Sequence, residues 1–509
     1  MRRLSRPGDD QTMSFPVRRI ADRQAGWIAA AAGALLPLGF APFAYYWIVP
    51  LSIAVLWALW EDRDARVAAR LGFLWGAAAF LTGTYWLYIS IHIFGQAPML
   101  LAVVLMLGLV AIMAIYPAVT GYVVIRWTPP GPLRWLLFLP AAWVVAEWLR
   151  GWLFSGFPWL SLGYAMTDGP LRGFAPVLGV HGVSLAAALL SGCLLTLVFG
   201  RRTIRFVGAA GVAMVLIGGQ VLTSVEWTEP GEGELRVALI QGAVPQDRKW
   251  LPEQRQPTKD LYLDLTRRFL DRDLILWPEA AIPAVASEEF GYLETVLAEA
   301  RAAGATVILG MLEQEPGDGR YFNSLLTLGD EQAVYRKRHL VPFGEYFPVP
   351  GFVREWMRLM SLPYADITPG PQDQAPLPIA GELAAPSICY EDAFGAEQLD
   401  FLPRAGLLLN VSNDAWFGDS IAPHQHLQIA RMRSLESGRY MLRATNTGIS
   451  AVIGPDGSLI ERSPQFETHV LTARVRPHRG STPFVRTGNG GPLGLAAILL
   501  ALGVARRRA

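Results

Sequence analysis

Long apolar runs dominate the first 223 residues of the chain. No Asp, Glu, Lys or Arg occurs between Arg23 and Glu61, and none occurs within 71–125. A helix needs about 20 apolar residues to cross a bilayer, so each run is long enough for two crossings. With the later apolar runs, the pattern predicts eight membrane spans, near 26–42, 45–60, 71–91, 98–125, 133–149, 174–199, 206–223 and 491–505.

The placement of arginine orients these spans. If residues 1–25 lie in the cytoplasm, the other segments on that side are 61–70, 126–134, 200–205 and 506–509, and each carries arginine. The short turn 92–97 on the opposite side has none. This asymmetry follows the positive-inside rule and predicts that residues 224–486 lie outside the cytoplasm.

Three tryptophans follow the fifth span or lie at its end. Trp148, Trp152 and Trp159 precede the sixth span, on the side predicted to be extracytoplasmic. Tryptophan is enriched at membrane interfaces, so we expect these rings to hold residues 224–486 close to the bilayer.

Residues 224–486 have a different pattern. Short apolar runs such as 235–241 and 305–310 alternate with helical stretches such as 257–270. Alternating strands and helices predict a single α/β domain. The predicted organisation is a cytoplasmic extension, a membrane domain of seven helices, an extracytoplasmic catalytic domain, and a final membrane helix with a basic tail, over 1–25, 26–223, 224–486 and 487–509.

The composition supports a membrane protein and argues against nucleic-acid binding. Hydrophobic residues make up 52% of the chain and charged residues 17%, a combination that few soluble proteins have. The net charge of +1 gives no basic field for nucleic acid. His339, His424 and His426 lack a carboxylate–histidine spacing typical of metal sites, so we expect neither a metal nor another cofactor.

One of the two cysteines has the surroundings of a nucleophile. Cys389 ends the apolar run 383–388, which predicts a buried strand, and polar residues follow at once. A thiol at the end of a strand suits nucleophilic catalysis. The alternative, commoner for a lone cysteine, is a small buried hydrophobe. That alternative fits Cys193, which lies within an apolar run.

A glutamate and a lysine stand in similar positions earlier in the chain. Glu279 ends the apolar run 274–279, which predicts another buried strand. Lys337 precedes the apolar turn 340–343. Either residue alone would more often be a solvated surface charge. Together with Cys389, however, they resemble the Glu-Lys-Cys triad of the nitrilase superfamily.

The whole layout resembles the apolipoprotein N-acyltransferases, a membrane-embedded branch of that superfamily. The resemblance covers the spans, the inserted domain and the final span. Its motifs are Gln-Gly-Ala-Val-Pro-Gln at 241–246 with Lys249 and Trp250, Trp-Pro-Glu at 277–279, Lys337 with 340–346, Ser-Ile-Cys-Tyr-Glu-Asp at 387–392 and Asn-Asp-Ala-Trp-Phe-Gly at 413–418.

The resemblance implies a fold and an activity. The fold is an α-β-β-α sandwich joined to a multi-pass helical membrane domain. The activity is acylation of the N-terminal cysteine of diacylglyceryl-modified apolipoproteins, the last step of bacterial lipoprotein maturation. A phospholipid of the inner membrane is the acyl donor, a thioester on Cys389 is the intermediate, and we expect a monomer.

Roles for the triad follow from this chemistry. We expect Glu279 to act as the general base and Lys337 to stabilise the oxyanion. Glu345 is expected to orient Lys337 or to share the proton transfer.

The roles of five further residues have two interpretations each. Tyr390 and Glu391 either shape the pocket or are ordinary polar residues at a strand end. The aromatic residues either line an entrance for acyl chains or pack in the core; they are Trp250, Trp416 and Phe417.

Two other functions fit parts of the sequence. The first is a membrane-anchored amidase of the carbon-nitrogen hydrolase type with the same triad, but an anchor needs one span and the sequence predicts eight. The second is a transporter with an inactive enzyme domain. The predicted spans contain few ionisable residues besides His92, Glu147 and Arg150, whereas a translocation pathway usually has more.

Overall fold

A computed structural model describes residues 20–317, 319–346 and 367–508. Residues 1–19 of the predicted extension 1–25 lie outside the described residues. The last residue of the basic tail, Ala509, also lies outside them.

Each of the eight predicted spans overlaps a helix. The helices are Asp22–Leu35, Ile48–Trp60, Ala65–Gly83, Met99–Trp127, Leu139–Arg150, Ala175–Phe199, Arg202–Leu222 and Gly490–Arg508. A π-helical turn, Arg134–Phe138, precedes the fifth helix, and a short segment, Trp86–Phe94, follows the third.

These helices differ in length. Among the described residues, three helical stretches are long and apolar enough to cross a membrane: Met99–Trp127, Pro170–Phe199 and Arg202–Leu222. A fourth is obtained if Ala65–Gly83 and Trp86–Phe94, bent by 54°, count as one span. The helix Ile48–Trp60 has 13 residues and rises only about 20 Å, less than the thickness of a bilayer core.

Small residues allow the membrane helices to pack closely. A Cβ atom added to Gly33 would lie 2.1 Å from the carbonyl oxygen of Trp75, and one added to Gly72 would lie 2.5 Å from that of Pro117. Such contacts are typical of helices that associate without a hydrophobic driving force. They explain why so many glycines occur in these apolar runs.

Among the described residues, fourteen strands lie in the second half of the chain. They are β1 (Thr228–Pro230), β2 (Leu235–Gln241), β3 (Leu274–Leu276), β4 (Thr306–Gln314), β5 (Tyr321–Leu328), β6 (Ala333–Arg336), β7 (Leu377–Ile379), β8 (Glu382–Ile388), β9 (Leu407–Ser412), β10 (Tyr440–Thr445), β11 (Ala451–Ile453), β12 (Leu459–Arg462), β13 (His469–Val475) and β14 (His478–Gly480).

Two six-stranded sheets form the centre of this half. Their strand orders are β13-β2-β3-β4-β5-β6 and β12-β11-β10-β9-β8-β7, and β1 pairs separately with β14. In each sheet three neighbouring strands run parallel: β2, β3 and β4 in the first, and β8, β9 and β10 in the second. The carboxyl ends of such parallel strands are where ligand sites form in α/β proteins.

Side chains that alternate along β2 pack into two different hydrophobic cores, one on each face of the first sheet. Val237 and Leu239 of β2 point into a core shared with the second sheet, whereas Ala238 and Ile240 point into a core shared with two helices. Those outer helices are Pro252–Arg267 and Phe290–Ala303, and the helix Ala422–Ser437 covers the second sheet. The predicted α-β-β-α sandwich is therefore confirmed.

The helix Ala422–Ser437, here called the interface helix, joins the sandwich to the membrane helices. Nearly all of its residues are buried. Glu436 Oε1 accepts the backbone N–H of Val180 at 2.7 Å, where the helix Ala175–Phe199 is broken at Gly179 with a φ of 63°. Glu436 also pairs with Arg433 at 3.1 Å. The interface helix therefore belongs to the core of both parts.

We expect Glu436→Ala to destabilise the protein. The substitution leaves the guanidinium of Arg433 and the N–H of Val180 without their carboxylate. Removing one partner of a buried ion pair typically costs about 3–5 kcal/mol. The midpoint of thermal unfolding in detergent should fall, whereas Glu461→Ala, at an exposed position on β12, should leave it unchanged. An unchanged midpoint for Glu436→Ala would show that the contact adds nothing to stability.

Candidate active site

Glu279 lies just beyond the carboxyl end of β3 and is buried. Its Oε1 accepts the side-chain amide of Asn323 at 2.8 Å, and its Oε2 accepts the backbone N–H of Asn413 at 2.8 Å. The neighbouring strand approaches very closely, since a Cβ atom on Gly310 would lie 2.6 Å from the Cα of Glu279. The carboxylate is therefore fixed from both sheets.

Lys337 follows β6 and is only 1% exposed. Its Nζ lies 2.9 Å from Glu345 Oε2 and 3.5 Å from Glu279 Oε1. Burial alone would lower the pKa of Lys337, but the negative charges of Glu345 and Glu279 outweigh it and raise the pKa. Lys337 therefore remains an ammonium group at neutral pH.

Asn323 connects the two carboxylates and was not identified from the sequence. Its Nδ2 donates to Glu279 Oε1 at 2.8 Å and to Glu345 Oε1 at 2.9 Å. The backbone N–H of Val341 donates to Glu345 Oε2 at 2.8 Å. The available signal was a buried asparagine in β5, where only a polar partner could satisfy its amide.

Cys389 is the first residue after β8 and is half-buried. Its φ of 51° lies in the left-handed region, which residues other than glycine seldom adopt. Burial raises the pKa of the thiol well above its usual value, and the charge of Glu279 raises it further, while Lys337 acts in the opposite direction. The resting thiol is therefore protonated and needs a base.

Glu391 holds two catalytic segments together. Its Oε1 accepts the backbone N–H groups of Arg338 at 2.7 Å and His339 at 3.1 Å, and its Oε2 accepts that of Ile388 at 2.7 Å. Both oxygens also lie 2.9 Å from the hydroxyl of Tyr335. This buried carboxylate thus ties the backbone beside Lys337 to the backbone before Cys389.

Tyr390 contacts a loop between two membrane helices. Its hydroxyl donates to the carbonyl oxygen of Gly156 at 3.0 Å, and His339 Nε2 lies 2.9 Å from the carbonyl oxygen of Ser155. Phe154 in that loop has a φ of 55° and is 86% exposed. One loop from the membrane part therefore contacts residues next to both Lys337 and Cys389.

The three candidate aromatic residues have different surroundings. Trp250 and Trp416 are 49% and 41% exposed, so neither ring is a core residue. Phe417 packs edge-on against Trp86, with ring centroids 4.8 Å apart. Trp159, expected at the membrane interface, is buried and donates to Gln425 of the interface helix at 2.7 Å.

The histidines considered for metal binding have other partners. His339 Nδ1 lies 2.7 Å from Glu397, and His426 lies between Asp392 and Asp414. Within residues 20–317, 319–346 and 367–508, no group of three or more His, Cys, Asp or Glu side chains is placed to hold a metal ion.

Comparison with known proteins gives matches to both halves of the chain. Residues 32–193 match the family described as Apolipoprotein N-acyltransferase N-terminal domain, and residues 236–482 match the family described as Carbon-nitrogen hydrolase. The first matched segment lies in the N-terminal helical part of the chain, and the second covers the sandwich.

Three relatives that match nearly the whole chain share the same name. A protein from Methylococcus capsulatus called Apolipoprotein N-acyltransferase is 45% identical over 94% of this chain and 96% of its own length. Proteins of the same name from Photobacterium profundum and Coxiella burnetii are 41% and 39% identical, over 91% and 93% of this chain and 91% and 99% of their own lengths. These matches confirm the resemblance drawn from the motifs, and the chain belongs to the apolipoprotein N-acyltransferase family, in the nitrilase superfamily.

Proposed function

We propose that this protein transfers a fatty acyl chain from a membrane phospholipid to the N-terminal amino group of the diacylglyceryl-cysteine of apolipoproteins. The observation that carries this proposal is the cluster of Glu279, Lys337 and Glu345, in which Nζ of Lys337 lies 3.5 Å and 2.9 Å from the two carboxylates, together with Glu391, which ties the backbone beside Lys337 to the backbone before Cys389. Family membership supplies the substrate class.

In the first half-reaction the thiol becomes a thioester. Glu279 accepts the proton of Cys389, and Sγ attacks the ester carbonyl carbon of the phospholipid. Negative charge develops on the carbonyl oxygen, where the ammonium of Lys337 stabilises it. The carbon–oxygen bond then breaks, and the departing lysophospholipid takes the proton back from Glu279.

In the second half-reaction the acyl group moves to nitrogen. The amino group of the lipoprotein attacks the thioester carbonyl carbon and passes a proton to Glu279. Lys337 again faces the oxyanion, the carbon–sulfur bond breaks, and the proton returns to Cys389. Glu345 and Asn323 keep Lys337 and Glu279 in place during both steps.

The membrane helices give lipid substrates access to this site. The loop through Ser155 and Gly156 supports His339 and Tyr390, so the catalytic segments rest directly on the membrane part. We infer that the exposed rings of Trp250 and Trp416 contact acyl chains, whereas Phe417 supports the wall of the site by packing on Trp86.

We further propose the complete topology. All eight helices cross or enter the inner membrane, with 1–25 in the cytoplasm, 26–223 as the first seven spans, 224–486 as the extracytoplasmic catalytic domain and 487–509 as the final span and tail. Arginine placement supports this orientation. The lipoprotein amino group is presented on the same face. The protein is proposed to act as a monomer without a cofactor.

Glu279→Gln and Lys337→Met should each remove most acyl transfer. The glutamine keeps the shape but cannot accept a proton, and the methionine fills the same volume without the charge that faces the oxyanion. Loss of one such electrostatic contact typically lowers the rate about 100- to 1,000-fold. The measurement is transfer of a labelled acyl chain from phospholipid to a diacylglyceryl lipopeptide.

Matched controls exist for both substitutions. Glu299→Gln, whose carboxylate pairs with Arg267 at 2.6 Å, and Lys259→Met, whose ammonium pairs with Glu289 at 2.6 Å, alter comparable side chains on the outer helices of the first sheet and should keep wild-type rates. If Glu279→Gln or Lys337→Met kept more than a tenth of wild-type turnover, its proposed role would be wrong. Hydrolysis of small amides without acyl transfer would instead identify the protein as an amidase.

Labelling of single cysteines should report the orientation of the catalytic domain. In a background of Cys193→Ala and Cys389→Ala, Glu232→Cys and Thr203→Cys introduce exposed thiols on opposite sides of the last of the seven spans. A thiol reagent that cannot cross the inner membrane should label position 232 in spheroplasts and spare position 203. The reverse pattern would place the catalytic domain in the cytoplasm and contradict the proposed topology.

A further inference from the structure

A second buried cluster of charges lies behind the nucleophile, and the reaction steps above do not use it. It consists of two carboxylates and two cations, here called the ion quartet: Asp392, Asp414, His426 and Arg443. All four side chains are at most 1% exposed. Charged groups buried so completely are stable only when they are paired and hydrogen-bonded.

Each carboxylate of the quartet bridges both cations. Asp392 lies 2.9 Å from His426 Nε2 and 3.1 Å from Arg443 Nη1. Asp414 lies 2.9 Å from His426 Nδ1 and 2.9 Å from Arg443 Nη2. The residues come from four places in the chain: the turn after β8, the turn after β9, the interface helix and β10.

The contacts of His426 place a hydrogen on Nε2. This nitrogen faces only acceptors, the carboxylate of Asp392 and the carbonyl oxygen of Cys389, so it donates. Nδ1 lies 2.9 Å from the carboxylate of Asp414, an acceptor, and 2.9 Å from Nη2 of Arg443, a donor.

The two carboxylates favour a charged ring. Burial and the charge of Arg443 lower the pKa of His426, but Asp392 and Asp414 outweigh them and raise it to about 9. The other groups against the ring are the aromatic side chains of Trp159 and Phe417, which do not titrate near neutral pH.

The quartet reaches the nucleophile through a backbone carbonyl. His426 Nε2 lies 3.3 Å from the carbonyl oxygen of Cys389, and Asn410 Nδ2 donates to the same oxygen at 3.3 Å. Asn410 in turn accepts a hydrogen bond from Arg443. The carbonyl that follows the left-handed φ of Cys389 is therefore held by two donors.

We propose that His426 is a positioning residue for the nucleophile: its Nε2–H, shared between the carboxylate of Asp392 and the carbonyl oxygen of Cys389, holds that carbonyl and so fixes the strained turn that presents the thiol. This inference rests on the proposed role of Cys389. A left-handed conformation persists at a non-glycine residue only when its surroundings enforce it. Without that restraint the turn relaxes and the thiol leaves its position beside Glu279 and Lys337.

Two substitutions separate hydrogen bonding from charge. His426→Phe keeps a ring beside Trp159 and Phe417 but has no donor, whereas His426→Gln retains one donor. Both are neutral, so they disturb the charge balance of the quartet equally. Leu435→Ala is the matched control, because it removes a buried side chain from the same helix two to three turns away.

The measurement is the rate of alkylation of Cys389 by iodoacetamide, per folded molecule, in a Cys193→Ala background. This reaction needs no phospholipid, so its outcome is independent of which acyl donor the enzyme uses. Displacement of a reacting group by about 1 Å can cost about 100-fold in rate. We expect alkylation to slow about tenfold or more in His426→Phe, less in His426→Gln, and not at all in Leu435→Ala.

The same ranking should appear in kcat for acyl transfer, with KM for phospholipid unchanged. Equal rates for the Phe and Gln variants, or wild-type alkylation in His426→Phe, would contradict the proposal. If His426→Phe does not fold, His426→Gln must still react more slowly than Leu435→Ala, and equality of those two would overturn it. Loss of acyl transfer with normal alkylation in all variants would contradict the positioning role while leaving Cys389 as a reactive thiol.

Discussion

The burial of one ammonium group governs the architecture of the active site. Lys337 has almost no contact with solvent, and a buried charge is stable only when it is paired and hydrogen-bonded. Glu279 and Glu345 supply the negative charge, and Asn323 holds both carboxylates in register. Removing Lys337 would leave two carboxylates without their shared cation, and removing either carboxylate would leave the ammonium with one partner fewer, so the energetics of burial also fix the geometry of the cluster.

The nucleophile reaches this cluster from the second sheet. Glu279 and Lys337 follow strands of the first sheet, whereas Cys389 follows β8 of the second, and Glu391 joins the two by accepting backbone N–H groups from both segments. The interface helix and the loop through Ser155 and Gly156 then attach this arrangement to the membrane helices. A site built at this contact suits two lipid substrates better than a site carried on a mobile anchor.

Much of the fold was predictable because it depends on local pattern. Alternating strand and helix signals indicated an α/β domain, the family resemblance supplied the sandwich, and each predicted span overlaps a helix. Run length does not show how much of a run is helical, so helices such as Ile48–Trp60 are shorter than the predicted spans. Trp159 was expected at the interface, but the buried amide of Gln425 accepts its N–H, so it packs inside.

The catalytic candidates stood out because Glu279, Lys337 and Cys389, each at the edge of an apolar run, together resemble the triad of the nitrilase superfamily. Their supports were not predictable in the same way. Asn323 lies 44 residues from Glu279, and Asn413 lies 134 residues from it, so only the folded sheets bring them together. His426 was considered as a metal ligand, yet its two carboxylates come from distant turns that sequence spacing does not reveal.

The central claim is that Cys389 carries the acyl chain between donor and acceptor. Mass spectrometry of the purified protein mixed with a phospholipid of defined acyl chain tests it most directly. We predict a mass increase of one acyl group, mapped to the peptide containing Cys389, sensitive to neutral hydroxylamine and lost when a diacylglyceryl lipopeptide is added. Acyl transfer at the wild-type rate with no adduct on Cys389, or by Cys389→Ala, would contradict the account.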